Sequence, residues 1–403
     1  MGYEKSDRQE LNYRALYGKL FSGLLQLFGT MYVSEIEDAI QNALLKFLKI
    51  HQVNAPDNPE NWLYIVARND VLNQVKKQKA KCTLSGKQPE DTFSIVPETD
   101  LRLQTILFVA GLNTLSNQAR IIFVLKNIFG LSIIEISDST LLGQEAIYKS
   151  TNRTKKSIQL AFNGNSVDLN TKIVNQKAIA ITEEILYAVF NIGFDSFSEK
   201  TESIVNEDVC LEAIALTKLL FTQYQYVSTS NLLALCCFHT ARIPAKVEQG
   251  KLVPFFHQDR AKWNVDLVNL GFHYLKKPEK LDRFYLEAII ISRYMSVPYF
   301  TPHDWAGIVR LYEMMLTISG SPIVTLNYCF CLSKIGEIEK ALTILSTIEK
   351  KLPDEHIYFS LVKANILQET NPSTADNLFR TVLGKMNQHI RKAHLLEHAL
   401  IHL

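Results

Sequence analysis

The chain has 403 residues, of which 47% are hydrophobic and 21% are charged, and its formal net charge is +2. This length predicts two to four domains, and these ordinary globular proportions argue against wholesale disorder. The sequence holds only 16 Gly and 12 Pro, so turn signals are few and an all-helical protein is predicted. A polar, charged start and apolar runs far shorter than ~20 residues argue against a signal peptide and a membrane span. We therefore expect a cytoplasmic protein with reduced thiols.

Positive charge is concentrated in two segments. Residues 68–87 contain five lysines and one acid, Asp70, and residues 149–156 contain four basic residues and no acid. Either segment alone is typical of a solvated helix face. Two such segments on a nearly neutral chain indicate that part of the surface contacts phosphates.

Apolar residues recur at helical spacing through residues 11–80 and predict three helices. Residues 53–59 hold two prolines and read as a loop, with Pro59 near the start of the third helix, where its missing N–H is tolerated. The predicted apolar stripes are Leu16, Leu20, Leu24, Leu27 and Phe28; Ile36, Ile40, Leu44, Phe47 and Leu48; and Trp62, Ile65, Val66, Leu72 and Val75.

A polar segment without periodicity, residues 81–99, predicts a linker before a second helical region at 100–165. In that region Ser132 and Glu135 form a capping-box pattern that opens a short helix. A turn containing Gly143 follows, and then a long segment from Gln144 to Leu160. A short helix, a turn and a second helix with basic residues are typical of a helix-turn-helix.

The C-terminal part contains a repeat. Ala341, Leu345 and Ile348 recur 34 residues later as Ala375, Phe379 and Val382, which favours tetratricopeptide-like helical hairpins.

Two other patterns could carry chemistry. Cys236, Cys237 and His239 are spread around one helix with no second ligand pair nearby, which argues against a metal site. His257, Asp259 and Arg260 could form an anion site, but helix capping at a junction is the favoured interpretation.

Several strings resemble a known family. SEIEDAIQNALLKFL (34–48) and NPENWLYIVARNDVLNQVKKQK (58–79) resemble region two of extracytoplasmic-function sigma factors, and residues 115–158 are similar to region four. The resemblance implies region two at 10–82, which meets the polymerase clamp and the −10 element. It further implies a linker at 83–99 and a region-four helix-turn-helix at 100–165, which meets the −35 element.

The remaining strings, among them YAVFNIGF (187–194) and DWAGIVRLYEMML (304–316), resemble the subgroup whose sigma module is fused to helical regulatory segments. This implies a helical extension domain at 177–290 and tetratricopeptide-like repeats at 291–403. The chain departs from that pattern at residues 191–194 (NIGF), where Asn-Glu-Gly-Tyr is usual. It also has Ser150 and Thr151 where an Arg-Leu pair is expected, which removes a potential DNA contact.

The resemblance assigns roles to particular residues. Asp38 and Gln41 would project toward a basic clamp surface. There they would fix the register of the complex and raise its association rate. Lysines would contact phosphates, an exposed ring would stack on an unpaired base, and Gln or Lys would reach base edges in the major groove. The ring of Trp62 is nevertheless expected mainly in the helical core. The predicted DNA-binding residues are Trp62, Arg68, Asn69, Lys76, Lys77, Gln144, Tyr148, Lys149, Arg153 and Lys156.

The implied protein is a transcription initiation factor and not an enzyme, with core RNA polymerase and promoter DNA as partners. It would have no cofactor, no metal and no membrane contact, and its C-terminal repeats would bind a protein or peptide. Two alternatives remain open from the sequence. One is a free-standing helix-turn-helix regulator with a helical sensing domain, and the other is a helical-repeat scaffold with a degenerate DNA-binding half.

Overall fold

The computed structural model describes residues 12–51, 56–81, 100–140, 142–162, 169, 175–195, 204–349, 352, 357–386 and 389–398. The prediction of an all-helical protein is confirmed, because this part of the chain contains eighteen α-helices and one two-stranded hairpin. The chain divides into two compact units. The first comprises residues 1–192 and 208–219, and the second comprises residues 193–207 and 220–403.

Seven helices belong wholly to the first unit, and two more run across the division. They are α1 (Tyr13–Phe28), α2 (Val33–His51), α3 (Pro59–Lys81), α4 (Arg102–Gly111), α5 (Asn117–Asn127), α6 (Ile133–Thr140), α7 (Gln144–Phe162), α8 (Gln176–Phe194) and α9 (Glu207–Tyr224).

Local chemistry sets several of these helix ends. Pro59 is the first residue of α3, as predicted, and the Asn58 side chain caps that helix by accepting from the Asn61 N–H at 2.9 Å. The capping box of α6 is also confirmed. Ser132 Oγ accepts from the Glu135 N–H at 3.2 Å, and the Glu135 carboxylate accepts from the Ser132 N–H at 2.8 Å. Nearly all of the predicted linker lies outside the described residues.

The residues of the predicted apolar stripes are buried or half-buried, with one exception in each helix. Leu27, Leu48 and Ile65 are exposed. Leu27 and Leu48 lie near the C-terminal ends of their helices. On α3 the buried side is formed by positions 63, 64, 67, 71 and 75, which places Ile65 on another face, since successive residues turn by about 100°.

The second unit contains α10 to α18 and a hairpin. Its elements are α10 (Val227–Ala241), β1 (Val247–Glu248), β2 (Lys251–Leu252), α11 (Val265–Tyr274), α12 (Arg283–Ser296), α13 (Pro302–Ile318), α14 (Pro322–Lys334), α15 (Ile338–Glu349), α16 (Ile357–Leu367), α17 (Pro372–Lys385) and α18 (His389–His398). The antiparallel hairpin turns at Gln249 and Gly250, which both have positive φ, as a tight two-residue turn requires.

The favoured interpretation of the His257, Asp259 and Arg260 pattern is confirmed for Asp259 and Arg260. The Arg260 guanidinium donates to the backbone carbonyls of Met295 (2.7 Å) and Val297 (2.6 Å) at the C-terminal end of α12. Asp259 caps a short 3-10 turn by accepting from the Ala261 N–H. The motif therefore ties this turn to α12 by capping, as expected for a cation at a helix C-terminus.

The repeat positions occupy equivalent places in two successive helical hairpins. Ala341 on α15 and Ala375 on α17 are 0% and 1% exposed, and each lies in the second helix of its hairpin. Leu345, Ile348, Phe379 and Val382 are buried as well.

Charged side chains also meet inside the second unit, around Asp195. The Asp195 carboxylate accepts from Lys246 at 2.9 Å and from Arg391 on α18 at 2.6 Å. Burial raises the pKa of Asp195, but the two cations outweigh burial and hold that pKa below its usual value. The network thus joins α18 to the segment that follows α8.

Candidate polymerase-binding and DNA-binding surfaces

The α2 helix has one buried face and one exposed face. Ile36, Ile40 and Phe47 are 0% exposed, whereas both predicted polymerase-binding residues, Asp38 and Gln41, are exposed. The exposed side also carries leucines, because Leu45 and Leu48 are 58% and 51% exposed. A surface that combines a carboxylate, an amide and large apolar side chains is typical of a protein–protein interface.

The α3 helix places its predicted DNA-binding residues in different environments. Asn69, Lys76 and Lys77 are exposed. Trp62 is half-buried, and its ring lies 5.9 Å from the Phe47 ring, which agrees with the expectation that it packs mainly in the helical core. Arg68 is also half-buried, so the fully accessible polar groups of this helix are concentrated in its middle and C-terminal parts.

The α7 helix presents a polar face that matches the predicted one. Gln144, Tyr148, Lys149, Arg153 and Lys156 are all exposed. The opposite side is buried and consists of Ile147, Thr151, Thr154 and Ile158.

The two residues that depart from the family pattern differ in their surroundings. Thr151 is 3% exposed and its hydroxyl donates to the Ile147 carbonyl at 2.9 Å. Thr151 therefore occupies a packing position and does not face solvent. Ser150 is half-buried, so the expected Arg is missing from a position that solvent reaches.

Two of the four cations in the second basic segment, residues 149–156, already form ion pairs within the protein. Lys155 lies only 15% exposed and donates to Glu37 on α2 at 2.7 Å, while Lys149 pairs with Glu145 one turn earlier at 2.5 Å. Arg153 and Lys156 are thus the cations of this segment that form no ion pair with another described residue.

The helices α1–α3 pack directly against α5–α7, an arrangement that sequence reasoning missed. Glu37, only 5% exposed at its side chain, accepts from Lys126 at 2.5 Å as well as from Lys155. Arg14 on α1 pairs with the capping residue Glu135 at 2.5 Å. These partners are separated by roughly ninety to one hundred and twenty residues, so no local pattern could have revealed them.

The same interface is closely packed at its apolar centre. The Phe21 and Phe123 rings meet edge to face at 5.9 Å. Gly18 lies so close to the chain after α5 that a Cβ added there would sit 2.0 Å from the Ile128 carbonyl oxygen. The two helical groups therefore form one tightly packed body.

Within the described ranges, no helix is both long and apolar enough to span a membrane. The same residues hold no group of three or more His, Cys, Asp or Glu side chains suited to a metal ion. Cys236 and Cys237 are buried, and His239 Nδ1 lies 3.1 Å from the Arg242 guanidinium.

Two segments of the chain match known family models, and one relative matches most of its length. Residues 13–81 match the family model of sigma-70 region 2, and residues 179–279 match that of a family of unknown function, DUF6596. An uncharacterized protein of Rhizobium meliloti (strain 1021) is 24% identical over 365 residues, which cover 86% of this chain and 84% of the relative. No solved structure shows a significant match.

The first of these matches coincides with α1–α3 and includes both exposed polar residues of α2. Sigma-70 region 2 implies binding to core RNA polymerase and to promoter DNA, and the sigma-70 family consists of non-enzymatic transcription factors. The match therefore supports a sigma-70 family factor with a role in transcription initiation.

Proposed function

We propose that the chain is an extracytoplasmic-function sigma factor that binds core RNA polymerase through α2 and directs it to promoters with α3 and α7. The observation that carries the proposal is the exposed face of α2. Asp38 and Gln41 stand there beside Leu45 and Leu48 on a helix whose other face is buried, inside the segment that matches region two.

The polymerase contact would combine two effects. The Asp38 carboxylate would steer the protein toward a basic surface and set the register. The two exposed leucines would supply apolar area, which contributes roughly 25 cal/mol per Å² when it is buried. Removing the polar pair should therefore weaken binding without unfolding the helix, because neither side chain takes part in the core.

The DNA contacts would come from two helices of the first unit. Lys76 and Lys77 on α3 would contact phosphates near the −10 element, and Asn69 would reach a base edge. In a helix-turn-helix made of α6 and α7, Gln144 and Tyr148 would enter the major groove, and the cations further along α7 would contact the backbone. Exposure of all these side chains supports this assignment.

The C-terminal half would have a regulatory role in the cytoplasm. The arrangement of the helices supports this role. Helices α14–α15 and α16–α17 form successive hairpins with small buried residues at equivalent positions. Stacked helical hairpins present surfaces suited to peptides or partner domains.

A pull-down of core RNA polymerase by the full chain tests the proposal. We compare the wild type with the double variant Asp38→Ala, Gln41→Ala, and with Asp208→Ala, which removes an exposed acid from α9 in the same unit. Retention of polymerase by the wild type and the Asp208 variant, together with weaker retention by the double variant, is the expected result.

Two other results would argue against it. If the wild type retains no polymerase, the sigma function is wrong. If polymerase is retained equally by all three proteins, the α2 face is not the contact. Promoter-dependent activity that needs α7 but not Asp38 or Gln41 would favour a free-standing DNA-binding regulator.

A further inference from the structure

A groove in the second unit lies between α12 and α13. Its volume is about 360 Å³, and apolar side chains form much of its lining. Ile289 and Val297 come from α12 and its C-terminal end, and Phe300, Ile308 and Leu311 come from the loop and α13. This volume falls in the range of roughly 300–1,000 Å³ that is typical of small-molecule sites.

The groove carries an excess of positive charge. Arg293 on α12 and Arg310 on α13 both line it and are exposed to solvent. Neither guanidinium forms an ion pair or hydrogen bond with another residue that the structure describes. His303 adds a third group that can bear positive charge.

The one acid in the lining is already engaged. The Asp304 carboxylate accepts from the Thr301 N–H at 2.9 Å and the Thr301 hydroxyl at 2.6 Å in the capping box of α13. These hydrogen bonds, followed by the nearby positive charge of His303 and Arg293, hold the pKa of Asp304 below its usual value. One carboxylate cannot balance two arginines, so the groove keeps a net positive charge.

One residue of the lining, Gly307, adds no side chain to the groove. Gly307 lies inside α13, where glycine is costly because of its backbone entropy. Neither the packing nor the backbone of the free chain requires it, since an added Cβ would meet nothing within 4 Å and its φ is not positive. The empty space beside Gly307 opens onto the groove that the two arginines line.

We propose that this groove binds a small anionic ligand with an apolar body, its carboxylate or phosphate held by Arg293 and Arg310. The planar guanidinium fork matches both anions in a bidentate way. The apolar part would lie along Ile289, Phe300 and Leu311, over the space that Gly307 leaves open. Ligand binding at this site would allow the C-terminal half to respond to a small molecule. This proposal does not depend on the sigma function proposed above.

Isothermal titration of the full chain tests the site. The probes are hexanoate, octanoate and octyl phosphate, each beside its neutral amide or alcohol and each used up to its solubility limit. The variants are Gly307→Leu, which fills the groove, and Arg310→Gln, which removes one cation. Arg380→Gln on α17 is the matched control, because Arg380 is an exposed arginine outside the groove.

We expect at least one anionic probe to bind the wild type and the Arg380 variant with equal affinity, and more tightly than its neutral counterpart. Arg310→Gln should weaken binding about tenfold to a hundredfold, as loss of a charged hydrogen bond does. Gly307→Leu should abolish binding while its Tm stays unchanged or rises, because leucine favours the helix. Preserved Tm separates a blocked groove from a misfolded protein.

The proposal is overturned if no anionic probe binds more tightly than its neutral counterpart. Binding that survives Gly307→Leu would place the ligand elsewhere and reject the groove. An equal loss of affinity in the Arg310 and Arg380 variants would show that general surface charge, and not this site, attracts the probe.

Discussion

The contact between Gly18 and the chain after α5 makes a sharp prediction for Gly18→Ala. The added Cβ would lie 2.0 Å from the Ile128 carbonyl oxygen, 2.9 Å from its carbonyl carbon and 3.0 Å from Arg102 Cδ. Real Cβ atoms essentially never come within 3.0 Å of a heavy atom from elsewhere in the chain. The closest neighbour is backbone, so it cannot rotate away as a side chain would. Helix α1 and residue 128 must therefore move apart by about 1 Å to relieve the contact.

The expected cost follows from two opposing effects. Overpacking of a closely packed interior typically costs about 1–3 kcal/mol and occasionally more. The higher helix propensity of alanine stabilises the folded state by about 1 kcal/mol relative to glycine. Because a backbone clash belongs at the upper end of the overpacking range, we expect a net loss of about 2 kcal/mol in the free energy of unfolding. For a unit of this size that corresponds to a fall of roughly 4–8 °C in Tm.

Thermal unfolding of the full chain provides the assay, with Gly111→Ala as the matched control. Gly111 ends α4 in the same unit, and a Cβ added there meets nothing within 4 Å. The control should leave Tm unchanged or raise it slightly through the unfolded state. Hydrogen exchange should further localise the loosening to α1 and the end of α5.

A Tm for Gly18→Ala equal to that of the Gly111 control would refute the reasoning. Such a result would mean that α1 does not lie against residue 128 in solution. Loss of Tm without increased exchange at α1 or α5 would count against the interface as well, because the damage would then lie elsewhere.

The remaining predictions concern three polar side chains. Glu37→Gln leaves Lys126 and Lys155 beside a side chain without charge. Because breaking a buried ion pair costs about 3 kcal/mol, the free energy of unfolding should fall by about that amount. An unchanged midpoint in urea unfolding would contradict this. Asp195→Asn tests a pH effect: because the folded pKa is depressed, its stabilisation is present above the unfolded value of roughly 4 and lost as pH falls through the folded value. The wild type should thus lose its advantage over the variant in Tm below about pH 4, and parallel pH profiles would reject the network. Ser150→Arg restores the cation expected in the recognition helix, so the salt dependence of DNA binding should steepen by about 0.9 per added phosphate contact. An unchanged slope would place residue 150 away from the DNA backbone.

Features that depend on neighbouring residues were predictable from the sequence. Pro59 and the Ser132–Glu135 pair locate the starts of α3 and α6 because caps are made by side chains within one helical turn. The polar face of α7 was predictable for the same reason, since helical spacing alone separates its packed positions from its exposed ones.

Features that depend on distant residues were not. The exposure of Ile65 on α3 was misjudged because this helix carries apolar residues on more than one side, so periodicity alone did not select the buried one. The ion pair of Lys155 was not predictable because its partner, Glu37, lies 118 residues away in the sequence. The groove beside Gly307 was equally hidden, because a glycine in a sequence does not show whether the space beside it is filled.

The tight packing of α1 against α5 also bears on affinity. Suppose that a partner binds only when the groups α1–α3 and α5–α7 are apart. The apparent dissociation constant for that partner is then the intrinsic value divided by the fraction of separated molecules. Each 1.4 kcal/mol of packing free energy would cost tenfold in apparent affinity. Substitutions such as Gly18→Ala would then lower stability and raise affinity together, so the most stable form of this chain would not be the one that binds best.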